Sequence, residues 1–89
     1  LGLGVALEND CIAGLITDGD IRRAMEKWQA MFFDKTVNDI MTHEPKTVLP
    51  TTKISEIQHI MNKYKIHTVL VRDEQNHLLG VVDHYSCMV

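Results

Sequence analysis

The residues best suited to chemistry sit together in Gly14-Leu15-Ile16-Thr17-Asp18-Gly19-Asp20-Ile21-Arg22-Arg23. A hydroxyl, two carboxylates and two guanidinium groups follow an apolar run, Cys11 to Ile16, that has the length and branching of a short buried strand. Beyond it, Ile21, Ala24, Met25 and Trp28 recur at i, i+3, i+4 and i+7, the spacing of a helix face. A strand thus enters a helix of about Asp18 to Trp28, with Thr17 or Asp18 as N-cap and both aspartates where the helix dipole favours negative charge. Two readings of this junction stand. It is a well-capped helix, or it is a small cleft where Asp20 accepts hydrogen bonds from a sugar diol while Thr17 and nearby amides meet a phosphate. Arg22 and Arg23 read as a solvated face in preference to phosphate ligands.

Other chemistry finds little support in the sequence. His43, His59, His77 and His84 lack metal-ligand spacing, so no metal is expected. His67, at the entry to a strand, either faces a cleft or is a surface or packed histidine. Cys11 and Cys87 make no disulfide framework and have no base beside them. Met25, Met31, Met41, Met61 and Met88 are core filler by default. With no nucleophile–base pair and no paired carboxylates, catalysis by these residues is not expected, and no cofactor is required.

The elements that must position the junction follow from periodicity. Leu3 to Leu7, a Glu8-Asn9-Asp10 turn and Cys11 to Ile16 predict an antiparallel hairpin. Gln29 to Lys35, with Met31, Phe32 and Phe33, reads as a linker whose aromatics pack back on the domain or form an oligomer contact. Val37 to Met41 predicts one helical turn, and Thr47 to Leu49 a short strand ended by Pro50. Thr51-Thr52 offers a cap for a helix over Lys53 to Tyr64, whose face of Ile54, Ile57, Ile60, Met61 and Tyr64 requires a core. Thr68 to Val71 and Leu78 to Val82 predict a second hairpin around Asp73-Glu74-Gln75-Asn76. The segment from Asp83 is expected to start a last helix.

Size and charge narrow the function classes. The 89 residues suit one compact domain, with 45% apolar and 24% charged residues, both ordinary for a soluble globular protein. A net charge of −3 gives no general attraction to nucleic acid or to an anionic membrane, and no apolar run reaches the ~20 residues of a bilayer span. Cytoplasmic residence is the default expectation. The chain opens at Leu1-Gly2-Leu3-Gly4-Val5 without an initiator methionine, so it is expected to be a fragment, with any catalytic domain before Leu1.

One unit occurs twice. Val5-Ala6-Leu7, a turn and Ile12-Ala13-Gly14-Leu15-Ile16 match Val69-Leu70-Val71, a turn and Leu78-Leu79-Gly80-Val81-Val82, with Gly14 and Gly80 in equivalent places 66 residues apart. The second copy is preceded by a strand and an amphipathic helix that the first copy lacks. The expected class is α/β (α+β), two tandem β-α-β-β-α modules with small sheets packed together and the first module truncated.

Asp39-Ile40-Met41-Thr42, Pro45-Lys46-Thr47-Val48, the Ile54–Met61 helix, Val69 to Asp73 and Leu79 to Val82 together resemble a complete CBS domain, and Gly14 to Asp20 resembles the end of another. Thr17 to Arg23 further resembles the CBS pair of arabinose 5-phosphate isomerases, in which a sugar-isomerase (SIS) domain comes first. The resemblance implies residues 1–30 as the end of a first CBS domain, 31–36 as a linker and 37–89 as a second CBS domain. It implies a regulatory pair binding an adenosine or cytidine nucleotide, or a CMP-sugar, in the cleft between modules. Gly14, Ile16, Thr17, Asp20 and His67 would line that site, Asp20 holding ribose hydroxyls and Thr17 the phosphate side. The second copy departs from the motif, with Asp83 in place of the threonine and Ser86 in place of the aspartate, so at most one competent site is expected. The attached SIS domain would interconvert D-ribulose 5-phosphate and D-arabinose 5-phosphate for Kdo, lipopolysaccharide or capsule synthesis. A homodimer through CBS pairs or a higher homo-oligomer is the expected assembly. An oligomerisation platform without ligand is the alternative role.

Overall fold

Two hairpins with the same irregularity organise the chain. In the computed structural model, which describes residues 3–84, strand β1 (Leu3–Glu8) pairs antiparallel with β2 (Cys11–Thr17), and β5 (Thr68–Arg72) with β6 (Leu78–Asp83). Pairing runs Ala6 to Gly14 and then Leu7 to Ile12, leaving Ala13 as an extra residue; it runs Val71 to Gly80 and then Arg72 to Leu78, leaving Leu79. The two bulges stand 66 residues apart, as the two glycines do, so the repeat read in the sequence extends to backbone register.

The chain divides into two units, Leu1–Pro45 and Lys46–Val89. In the first, Asn9 and Asp10 both take positive φ, 53° and 66°, the backbone that a two-residue hairpin loop requires. Helix α1 (Asp18–Trp28) follows, then a 3₁₀ segment (Gln29–Asp34), the short helix α2 (Val37–Ile40) and β3 (Thr42–His43). Strand β3 pairs with β2, placing Gly14 opposite His43 and Leu15 opposite Thr42. Residues Val37 to His43, which resemble the start of the second CBS domain in sequence, therefore lie in the first unit.

The second unit contains β4 (Thr47–Val48), helix α3 (Ile54–Tyr64) and the β5–β6 hairpin. β4 runs parallel to β5, Thr47 opposite Leu70 and Val48 opposite Val71. Val48, Ile57, Met61 and Val69 form a buried cluster, with Ile60, Ile66, Val71 and Val82 packed against it. Val69 and Leu70 are fully buried. Burying each large aliphatic side chain contributes about 1.5–3 kcal/mol, so this cluster is the main apolar stabilisation of the unit.

Some expectations change. Thr52 does not cap α3: the helix begins after Lys53 with no side-chain cap, and Thr52 Oγ1 instead accepts from the Leu49 amide at 3.2 Å. That bond closes the turn at Pro50, which competes for the same hydroxyl. Of the two aromatics in the 3₁₀ segment, Phe32 is half-buried and Phe33 does not pack back on the domain. Phe33 is 82% exposed and meets Phe32 edge-on at 5.4 Å between ring centres. On α1 only Ala24 is buried, while Ile21 and Met25 are exposed. Asp83 closes β6, with His84 in a turn, in place of a helix start. The rest of the expected last helix, Ser86 included, lies outside the described residues.

Candidate functional site

The β2–α1 corner is built by reciprocal capping. Thr17, extended at φ −120°, is the N-cap of α1, and its hydroxyl accepts from the Asp20 amide at 3.2 Å. In return Asp20 Oδ2 accepts from the Thr17 amide at 2.9 Å and the Thr17 hydroxyl at 3.1 Å. Two amides that the first helical turn leaves without partners are thereby satisfied. The other carboxylate oxygen, Oδ1, faces different partners. Arg23 Nη2 donates to it at 2.7 Å, and the Thr42 hydroxyl reaches it at 3.5 Å. Asp20 is nearly enclosed, its side chain 11% exposed, whereas Arg23 is 65% exposed.

A second corner in the same unit serves as an internal control. Thr36 and Asp39 form the same capping box at the start of α2, with amide and hydroxyl to Asp39 Oδ2 at 3.0 and 3.1 Å. The Thr36 backbone bond, then its hydroxyl, lowers the Asp39 pKa. That box belongs to a four-residue helix with exposed members. A capping box is therefore a local solution to helix starts, and only the surroundings of Oδ1 set Asp20 apart.

The remaining predicted residues separate by unit. Gly14 is buried in β2, and a Cβ built on it would collide with the Met41 side chain, with Cγ at 2.9 Å. Ile16 is half-buried opposite Gly4, whose Cβ would lie 2.9 Å from Ile16 Cγ2. Gly14, Ile16, Thr17 and Asp20 thus share one strand and its junction. His67 lies in the second unit, exposed, its ring edge-on to His84 at 5.7 Å between centres, with the His84 amide donating to its carbonyl at 2.7 Å. Among the described residues no group of three or more His, Cys, Asp or Glu could hold a metal ion, and no helix is long and apolar enough to cross a membrane.

Sequence reasoning missed two partners of Asp20. Arg23, assigned to a solvated face, is ion-paired, and the Asp20–Arg23 spacing of three on a helix was the available signal. Thr42 carried no signal, since it reaches Asp20 only because β3 pairs with β2.

The CBS domain family model matches residues 37–88. Over 97% of its length the chain is 38% identical to a probable arabinose 5-phosphate isomerase of Haemophilus influenzae, covering 26% of that protein. Over 80% of its length it is 41% identical to the arabinose 5-phosphate isomerase KpsF of Escherichia coli O6:H1, covering 21% of it. The chain thus spans about a quarter of the curated relatives it matches. Among solved structures it resembles a CBS domain pair in complex with 5′-methylthioadenosine and S-adenosyl-L-methionine, with a TM-score of 0.84 at 25% identity over 94% of this chain and 64% of that one.

Proposed function

The chain belongs to the CBS domain family, and from that premise we propose that it is the ligand-sensing regulatory part of a D-arabinose 5-phosphate isomerase. Its ligand would be a nucleotide or nucleotide-sugar whose ribose engages Asp20, and the response would bias an attached sugar-isomerase domain. The relatives named as isomerases support the enzyme context, and the CBS pair solved with adenosine derivatives supports the ligand class. Residence in the cytoplasm and a place in Kdo supply for lipopolysaccharide or capsule go with this reading. Feedback by the cytidine nucleotide-sugar end product of that route is the regulation it suggests.

One observation carries the proposal. Asp20 holds its cap through Oδ2 and leaves Oδ1 to an exposed arginine and a long threonine contact, so half of a shielded carboxylate can be exchanged. An ionised carboxylate accepting from adjacent ribose hydroxyls makes charge-assisted bonds of about 1.5–3 kcal/mol, or roughly 10- to 150-fold in affinity. Calorimetric titration of the intact protein with AMP, CMP and a CMP-sugar tests it. Asp20→Asn keeps an oxygen for the Thr17 amide and should weaken binding by roughly that factor. No heat and no melting shift at millimolar ligand would reject the proposal.

A second reading, an oligomerisation platform, is favoured by one observation: Phe33, Met31 and Met25 are exposed in the first unit. A dimer by light scattering that persists without nucleotide and in Asp20→Asn would support it. The two roles are compatible.

A further inference from the structure

We infer that Arg23 is the residue that makes this site select phosphorylated ribose over the bare nucleoside, by exchanging partners when ligand binds. The inference rests on the proposed ribose role of Asp20. In the structure the four acceptor positions of that carboxylate are taken: two on Oδ2 by Thr17, two on Oδ1 by Arg23 and Thr42. A diol cannot add to a filled acceptor, so it must displace something. The Thr17 bonds hold the helix start and are costly to break. Oδ1 is the weaker side, because the Thr42 contact is long at 3.5 Å and the Arg23 guanidinium reaches in from an exposed position.

Displacement leaves a cation beside the N-terminus of α1 with its carboxylate partner gone. A neutral nucleoside offers nothing in exchange, so its binding bears the loss of the ion pair. A phosphate on the same ribose offers the planar guanidinium a charged, two-pronged acceptor. Arg23 therefore opposes nucleosides and favours nucleotides. Gly19 permits the arrangement, since a Cβ there would stand 3.1 Å from Arg23 Nη1 and 3.4 Å from Nη2. Its φ is not positive, so alanine at 19 meets only the flexible guanidinium.

The test is calorimetry on the intact protein with adenosine and AMP, for wild type, Arg23→Gln, Gly19→Ala and Asp20→Asn. Arg23→Gln should bind adenosine about 1.5- to 5-fold tighter, the range of one exposed ion pair, and AMP at least about 5-fold weaker. Gly19→Ala, which keeps the charge but shifts it off Asp20, should raise adenosine affinity by less and keep AMP binding. In wild type, raising salt should tighten adenosine binding and loosen AMP binding, because screening weakens the competing pair and the phosphate contact alike. An unchanged adenosine-to-AMP ratio in Arg23→Gln, with binding lost in Asp20→Asn, would overturn the exchange while leaving the ribose site intact. Wild-type affinity retained in Asp20→Asn, or no binding of either ligand to wild type and Arg23→Gln, would overturn both.

Discussion

The two units repeat one hairpin but differ in what they bury and in what stands where that hairpin ends. The second buries Val48, Ile57, Met61, Val69 and Leu70 beneath and beside its hairpin. Among the described residues the first buries only Leu15 and Ala24 of its hydrophobic side chains, while Leu7, Met31, Phe33 and Val37 stay more than half exposed. Among the described residues the first unit has no counterpart of α3, whose Ile57 and Met61 fill the core of the second. Its corner, in contrast, carries the Thr17–Asp20–Arg23–Thr42 set, while the matching position in the second unit is Asp83 at the end of β6. A carboxylate there would repel a phosphate.

Core truncation should break the symmetry most. Leu70→Ala is expected to cost about 2–5 kcal/mol, and Leu15→Ala less, because more of its surroundings can relax toward solvent. Urea unfolding of both variants measures the difference, and equal costs would mean that the units are equally well packed.

The paired glycines sharpen the comparison at smaller scale. Gly14→Ala drives a methyl into Met41 and should destabilise by about 1–3 kcal/mol, whereas Gly80→Ala meets nothing within 4 Å and should be neutral or stabilising by up to about 1 kcal/mol. Melting temperatures of the two variants decide it. Two losses of similar size would show that both glycines are needed for backbone shape alone.

The smallest expected effect is on acid stability. Asp73 is held below the ordinary carboxylate range by the His77 amide first, with the His77 ring and the Gln75 amide adding to it; Asp39 is held low by Thr36. A lowered native pKa stabilises fully above the unfolded value near 3.8 and is lost as pH falls through the native value. Stability should therefore decline below about pH 4, and Asp73→Asn and Asp39→Asn should each flatten that decline in melting temperature. Curves parallel to wild type would show that neither bond survives in solution.

Much of this was legible from residue order. Alternation and turn residues locate both hairpins, and the Gly14–Gly80 spacing marks the repeat. The Thr17–Asp20 box follows from spacing on one helix turn. What stayed hidden depends on contacts distant in sequence or on competition for one group. Thr42 meets Asp20 across 22 residues, and β3 joins the first unit through pairing that no local pattern encodes. Thr52 looked like a cap because its hydroxyl suits that role, yet the Leu49 amide claimed it. The face of α1 is periodic yet buried only at Ala24, since periodicity marks a potential interface and does not supply the partner.

The most direct test is amide chemical-shift mapping of the intact protein titrated with AMP. The expected result is saturable shifts centred on Thr17, Gly19, Asp20 and Arg23, with Asp83 and His84 little affected. Shifts centred on residues 67–84, with the Thr17–Arg23 amides unmoved, would contradict the assignment of function to the first unit.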